Sequence, residues 1–573
     1  MIGMCGILGS TYKEGNFDSA LDKMRYRGPD DKKVMDLHGC TLGFVRLSIR
    51  DLTMQAMQPM YSEDGKVYIV YNGEIYGYGK LKRSLEQKGY VFKTSCDTEV
   101  ILYAYLEYGS CFIDHIDGMF AIAIYDMRNE NLILFRDRIG IKPLYYYYNG
   151  TDFTFASELK AIVSLHSKIN FKRDNSAVYD YFTYRYIPEP KTLYQDIYKL
   201  EPAYKLTFDL RKRNVYKEKY WKLRINTSMS AKHNRKDLCG EVRRLIGKSV
   251  KEQLTADVPI GTFLSGGIDS SIVSAEIFKR TKKVQAFSMG FRVRTKDEQV
   301  YDETSYAKLL AKIYVFPITV GQFDRMQLKR IKSYIKDWYD EPFADTSCYP
   351  TYMISKMAKE NYVPVILTGD GGDEVFGGYT RYTVYNQKAG ERKSWSILCD
   401  LYTKLLKNVL TKEEWEEEFL DAVSLFAREA YAYTRCEKRA YIKKLGIGYG
   451  YDDFWYFRKF YHKELPPITR AQYIDFNTYL PADILTKVDR VSMQNSIETR
   501  VPLLSKELVE FSFGLSQEER CPKGELKGIL KEAYRGIIPK EILDKSKKGF
   551  SFPSSYWESN QRDRFLLWEE NWV

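Results

Sequence analysis

The chain has 573 residues, 44% apolar and 29% charged, with 88 basic and 76 acidic residues and a formal charge of +12. That length exceeds one ordinary core and leads to an expectation of two domains, while the composition excludes a disordered or fibrous chain. The basic residues are dispersed without a pure Lys/Arg block, so no nucleic-acid partner is expected; small acidic ligands such as nucleotides suit the cation excess.

Nine cysteines (5, 40, 96, 111, 239, 348, 399, 436 and 521) stand far apart with no CxxC pair, and five histidines form neither HExxH nor a Ser-His-Asp set. A disulfide framework and a structural zinc are therefore not expected. No apolar run is long enough to cross a bilayer and no leader-like h-region opens the chain. The expectation is a cytoplasmic protein with no membrane partner.

In chain order, the first feature is Met1-Ile2-Gly3-Met4-Cys5-Gly6-Ile7-Leu8-Gly9, a small, apolar, strand-like run holding one thiol. Read plainly, Cys5 is a buried cysteine of an N-terminal strand. Read with translation beginning at Met4 and that methionine removed, Cys5 carries a free α-amine whose pKa lies near neutrality. A thiol beside its own base is a self-contained nucleophile. With Met1 retained that nitrogen is an amide and the mechanism fails.

Alternation over 67–70, 121–125 and 132–135 predicts strands, and Tyr145 to Tyr148 reads as a strand end and its turn. Asn72-Gly73 is a hairpin-turn dipeptide and also a rigid way to aim an amide N–H. Along this half lie Arg25-Tyr26-Arg27-Gly28-Pro29-Asp30, Arg46-Leu47-Ser48-Ile49, Tyr71-Asn72-Gly73-Glu74-Ile75-Tyr76, Ser95-Cys96-Asp97-Thr98-Glu99 and Arg136-Asp137-Arg138-Ile139-Gly140. In this order the series resembles the glutaminase domain of class II (N-terminal-nucleophile) glutamine amidotransferases.

The resemblance implies an αββα sandwich of two antiparallel sheets between helices, with Cys5 as nucleophile. It implies that Arg46 holds the α-carboxylate of glutamine, for which a planar guanidinium is suited, and that Glu74 and Asp97 take its amino end. Asn72 and Gly73 would form the oxyanion hole. Family members begin Met-Cys-Gly, whereas this chain has three residues ahead of Met4.

Residues 170–222 carry Pro188, Pro190 and Pro202 among many aromatics, including Tyr179, Tyr181, Phe182, Tyr184 and Tyr186. Aromatics favour burial, so this is a packed connector rather than a loose linker. The more polar stretch 228–237 is the candidate boundary, giving expected domains at 5–210 and 236–573. A helix is predicted over 238–254, apolar at Val242, Leu245, Ile246 and Val250.

Next comes Val258-Pro259-Ile260-Gly261-Thr262-Phe263-Leu264-Ser265-Gly266-Gly267-Ile268-Asp269-Ser270-Ser271, read as a short strand, a Ser-Gly-Gly turn and a helix ending at Lys279-Arg280. Two glycines admit an anion to the backbone, and the serines and helix-start N–H groups can donate to phosphate. Asp269 repels bare phosphate and makes sense as a Mg²⁺ ligand beside it. GxxxxGK[ST] is absent, which suits attack at an α-phosphate with release of pyrophosphate.

Further strands are predicted over 284–291 and 363–367, the second running into Thr368-Gly369-Asp370-Gly371-Gly372-Asp373-Glu374. Alternating strands and helices with glycines after the strands predict a parallel α/β sheet binding ligand at its carboxyl edge. Acidic crowding there calls for a cation.

With Asp340–Thr351, Tyr479–Leu504 and Lys547–Pro553, these motifs resemble the asparagine synthetase family. The resemblance implies a pyrophosphatase-loop, adenylating α/β domain with helical additions, using ATP and Mg²⁺. Leu264, Ser265, Gly266, Gly267, Asp269, Ser270, Ser271, Ser288, Met289, Gly290, Thr368 and Gly369 would surround ATP. Asp269 and Asp373 would bind the metal, and Asp370 would sit near the acceptor intermediate. Lys487 and Arg490 would supply cations to the phosphates, with the catalytic one of the two left open. Residues 495–502 are expected to support their helix.

The resulting expectation is amidation of an acceptor carboxylate through an acyl-adenylate with ammonia from glutamine, aspartate being the default acceptor and a homodimer the implied assembly. The alternative is a related amidotransferase acting on a sugar acid or peptide. Residues 391–470 carry no readable motif.

Overall fold

The computed structural model describes residues 5–229, 232–292, 299, 301–387, 423, 426–427, 438, 442–448, 450, 452–546, 549, 553, 556 and 568. Met1, Met4, most of the 547–553 motif and much of the 391–470 stretch lie outside the described residues.

Two six-stranded sheets form the first half. One has the order Ile197–Lys199, Tyr145–Tyr148, Phe153–Ala156, Gly6–Ser10, Thr41–Arg46, Asp31–Asp36; the other runs Asn214–Lys219, Tyr204–Asp209, Asn131–Arg136, Asp117–Asp126, Val67–Tyr76, Met60–Tyr61. Every neighbouring pair is antiparallel.

Side-chain alternation accounts for the layering. Ile7, Leu42, Phe44, Val70, Ala121, Ala123, Leu132 and Leu134 meet between the sheets. Ile69, Ile122 and Ile124 turn outward under Asp97–Tyr108, and Leu8, Val45 and Ala156 turn outward under Phe17–Asp22 and Leu159–Leu165. The product is an αββα sandwich, as expected. Asn214–Lys219 belongs to it, so the sheet runs beyond the expected limit at 210.

One local expectation is corrected. Asn72 and Gly73 are not a hairpin turn but lie inside the strand Val67–Tyr76, opposite Ala121 and Phe120. A Cβ on Gly73 would sit 2.1 Å from the Met119 carbonyl oxygen, so glycine there answers to close strand approach rather than to a turn. Tyr145–Tyr148 likewise is a full strand.

The second half holds a five-stranded, wholly parallel sheet: Ile318–Phe323, Gln285–Phe291, Ile260–Phe263, Val365–Leu367, Glu498–Arg500. The predicted strands and the helices Arg235–Gln253 and Ile268–Arg280 are all present. The edge strand Glu498–Arg500 was expected only as support for the preceding helix. It is three residues long and gives no readable alternation, but the neighbouring strand supplies its partners. The sheet is covered on both faces: Ala286, Val365 and Leu367 pack with Ile272 and Leu245, while Phe287, Met289 and Ile366 pack with Ile354 and Ala358.

The aromatic connector is buried as its composition requires. Tyr179, Tyr181, Phe182, Tyr184 and Tyr186 share a core with Phe287, Trp338 and Phe457 of the second half. Emptying one such ring site costs about 3–5 kcal/mol, so the two halves are bound by packing as well as by the chain between them.

Candidate active sites

Cys5 immediately precedes the central strand Gly6–Ser10, whose register pairs Gly6 with Val45 and so brings Arg46 alongside the thiol. A cavity of about 50 Å³ there is lined by Cys5, Arg46, Gly73, Glu74, Asp97 and, from the second half, Glu498. The Arg46 guanidinium is aimed by two loop carbonyls, donating to Thr53 at 2.8 Å and Asp51 at 2.6 Å. Asp97 opens the helix Asp97–Tyr108 and accepts from the Tyr71 hydroxyl at 2.8 Å and the Ile75 N–H at 3.0 Å.

Asn72 does not line the cavity itself, yet its side-chain amide is fully buried with neither Nδ2 nor Oδ1 hydrogen-bonded. An unmet buried amide costs about 1–3 kcal/mol, so this one is held ready for a partner the protein does not supply. Burial pushes the Cys5 thiol up to about 12. A group so rarely ionised needs a local base to act as a nucleophile.

The second site is a cavity of about 920 Å³ at the carboxyl edge of the parallel sheet. Of the residues expected at ATP, Ser265, Gly267, Asp269, Ser270, Met289, Thr368 and Gly369 line it, together with Asp370, Asp373 and Lys487. Leu264, Gly266, Ser271, Ser288, Gly290 and Arg490 do not. Strand alternation turns Met289 to the cavity and its neighbours Ser288 and Gly290 away. Gly266 makes the turn at φ +83 behind the lining, where a Cβ would strike Glu303 and Tyr306.

Lys487 and Arg490 thus part company, although both lie on Thr486–Met493. Lys487 faces the cavity and pairs with Asp345 at 2.8 Å. Burial opposes its charge, but Asp345 and Asp483 outweigh that and hold it upward. Arg490 turns instead into the first half. It pairs with Glu158 at 2.9 Å, lies 3.6 Å from Asp340 and donates to the Tyr145 hydroxyl at 3.0 Å. Its expected role at the phosphates is corrected accordingly: its charge is spent on the domain interface.

Reading the sequence missed Lys527. Its ammonium bridges the Asp269 and Asp373 carboxylates, the second at 2.6 Å. No motif surrounds it; a turn at φ +55, with its N–H bonded to the Gly377 carbonyl, swings it into the cavity. Two hard oxygen donors that share one cation also fit Mg²⁺, which takes one or two carboxylates and completes its shell with substrate phosphates. Among the described residues no group of three or more His, Cys, Asp or Glu side chains gathers that could hold a metal by itself. Glu374, beside them, is pushed up to about 7 by burial and by Asp373, and accepts from the Tyr379 hydroxyl at 2.6 Å.

Between the two cavities lies one continuous apolar cluster. Leu47, Ile49, Met119, Ile139 and Ile141 of the first half pack with Leu264, Leu367, Ile484 and Leu485 of the second, and Cys5 packs against it. Beside it runs a buried ionic seam in which Arg27 pairs with Glu158 and Asp489, each at 2.9 Å. The same guanidinium donates to the Cys5 carbonyl at 3.3 Å.

The chain was compared with known proteins. The profile of the family described as asparagine synthase matches residues 241–568, and that of the glutamine amidotransferase domain matches 1–221. Asparagine synthetase [glutamine-hydrolyzing] 1 of Bacillus subtilis is 31% identical over 561 residues, covering 94% of this chain and 84% of its own. A Methanocaldococcus jannaschii protein with a provisional asparagine synthetase [glutamine-hydrolyzing] name is 38% identical over 541 residues, covering 86% and 98%. Amidase chry2 of Gibberella zeae is 26% identical over 592 residues, covering 94% and 85%. Among the described residues no helix is long and apolar enough to cross a membrane.

Proposed function

This chain belongs to the glutamine-hydrolysing asparagine synthetase family, and from that premise we propose that it amidates an acceptor carboxylate, by default aspartate, with ammonia from glutamine and energy from ATP. The observation that carries the reading is the apolar cluster shared by a thiol pocket and a phosphate-sized cavity. Ammonia released into water is protonated and an activated carboxylate there is hydrolysed, so the chemistry requires a dry passage between its centres.

In the first centre the Cys5 sulfur attacks the glutamine amide carbon, and its proton passes to the Cys5 α-amine of a chain that begins at that residue. The developing oxyanion takes the two donors set aside for it, the Asn72 amide and the Gly73 N–H. One such donor contributes about 3–4 kcal/mol to the barrier. Arg46 holds the α-carboxylate, while Asp97 and Glu74 hold the α-ammonium. Ammonia leaves, and water later frees glutamate from the thioester.

In the second centre Ser265, Gly267, Ser270 and the start of Ile268–Arg280 bind the phosphates of ATP. Asp269 and Asp373 would hold Mg²⁺, which supplies charge neutralisation at the phosphates. Lys487 and Lys527 place fixed cations beside the α-phosphate and the departing pyrophosphate, and Asp370 faces the acceptor. Ammonia displaces AMP from the acyl-adenylate to give the amide.

The deciding experiment is ATP-to-AMP turnover across acceptors, aspartate first. AMP formed with aspartate and glutamine together supports the reading. No AMP with aspartate moves it to the second reading, a sugar acid or peptide acceptor. That alternative is favoured by the near full-length match to a relative named an amidase rather than an asparagine synthetase.

A further inference from the structure

The thiol pocket is not built by the first half alone. Glu498, on the edge strand of the parallel sheet, lines it. Its partner Arg500 is wholly buried and held on two sides by its own half. Nε donates to Glu498 at 2.6 Å, and Nη1 donates to the Gln253 and Thr255 carbonyls, both at 2.7 Å. The remaining nitrogen, Nη2, has no hydrogen-bond partner and points across the interface to Glu74, 3.5 Å away. Glu74 in turn lines the thiol pocket.

A buried guanidinium with one unsatisfied edge, set beside a carboxylate whose lone pairs face a cavity, is poorly explained as a simple structural pair. A structural pair would close to hydrogen-bond distance and satisfy both groups. The gap leaves the Glu74 oxygens available to a ligand.

We propose that Arg500, a residue of the ATP-binding half, is a positioning residue for the glutamine pocket: its guanidinium favours the anionic form of Glu74, the form that receives the α-ammonium of glutamine. This rests on the glutaminase reading above. It also means that the pocket is complete only while the two halves are docked. The strand that carries Arg500 bears on the other site as well, since its carbonyl accepts from the Thr368 N–H at 2.9 Å at the rim of the phosphate cavity.

Burial and then Asp97 drive the Glu74 carboxyl well above the usual range, and Arg500 is the leading influence in the other direction. The remaining charged and titratable groups around Glu74 are Arg50, Tyr71, Tyr76 and Tyr78 of the first half and Glu498 of the second. Removing Arg500 takes away that opposing influence and favours the acid further, and raising the pH works back toward the anion.

The test is steady-state glutaminase kinetics of the full chain from pH 6 to 8.5, comparing the parent with Arg500→Gln and Arg500→Lys. The rise in melting temperature on adding MgATP serves as the check that the second half is intact. Arg500→Gln is expected to raise KM for glutamine about tenfold at pH 7, equivalent to about 1.4 kcal/mol. Its kcat stays near the parent's, and its KM falls toward the parent value as pH rises. Arg500→Lys keeps a charge, shows a smaller rise with the same slope, and carries the test alone where Arg500→Gln fails to fold. An unchanged KM, or one raised equally at every pH, in a variant that keeps its MgATP response overturns the proposal. A parent chain that hydrolyses no glutamine instead removes the underlying glutaminase reading.

Discussion

The thiol pocket encloses about 50 Å³ and the phosphate cavity about 920 Å³, and the two handle charge in opposite ways. In the large cavity the protein neutralises itself: Lys527 bridges Asp269 and Asp373, and Lys487 pairs with Asp345. A polyanion with its metal can enter by exchanging these pairs, so little charge is ever left uncompensated. Behind the small pocket two groups that do not line it are left unmet, the idle Asn72 amide and the open edge of Arg500. The difference follows from the ligands. A metal-bound triphosphate supplies several charges, whereas the reacting amide of glutamine is neutral and needs a few donors already aimed.

The sharpest way to break the comparison is at the thiol. Cys5→Ala is expected to lower glutamine hydrolysis by about 10⁴-fold or more while ammonia-dependent AMP release survives. Survival of both activities removes Cys5 as nucleophile. An intact-mass measurement of the purified chain reports in parallel whether Cys5 is its first residue.

Next is the preset donor. Asn72→Ala should reduce glutaminase kcat by about 10²–10³-fold with little change in KM, because the donor acts on the oxyanion rather than on bound glutamine. A KM effect alone would make Asn72 a binding residue. In the large cavity Lys527→Met should slow AMP formation by about 10²-fold and leave glutamine hydrolysis alone, which initial rates of both reactions would resolve. Equal loss of both would show that the sites are not separable in this way.

Smaller effects test the seam between the sites. Burial opposes the Glu158 charge, but Arg490, Lys160 and Arg27 outweigh it and hold the carboxyl down to about 2. A folded-state value below the unfolded one adds stability that is full above the ordinary carboxylate pKa and lost as pH falls toward 2. Glu158→Gln should therefore destabilise by about 3 kcal/mol at pH 7, read by denaturant titration, and blunt acid unfolding.

A further effect lies away from both sites. Burial lowers His166 to about 4, and its ring bonds Thr154 at 2.8 Å. The unfolded chain binds that proton first, so stability should decline as pH drops from about 6.5 to 4, by at most about 1.4 kcal/mol for each pH unit. His166→Gln should flatten this part of a melting-temperature profile, and an unchanged profile would assign the decline elsewhere.

Much of this was determined along the chain. Strand alternation at Val70, Ala121 and Leu134 marks the sandwich core, and the Ser-Gly-Gly turn between a strand and a helix marks the phosphate edge. In both cases the residues that act together are close in sequence or share one strand's period, so local geometry carries the information. The pairing of Cys5 with Arg46 was implied by the family resemblance alone, and it takes the register between two strands to bring them side by side.

The rest was decided by tertiary structure. Lys487 and Arg490 are one turn apart on one helix, and only docking against the first half decides which charge meets the cavity and which meets Glu158. Lys527 reaches Asp269 across 258 positions, and Arg500 reaches Glu74 from the opposite half. The direction of a long cationic side chain follows the nearest buried carboxylate, because an unpaired charge in the interior costs several kcal/mol. Which carboxylate is nearest is a property of the packed halves, not of any window of sequence.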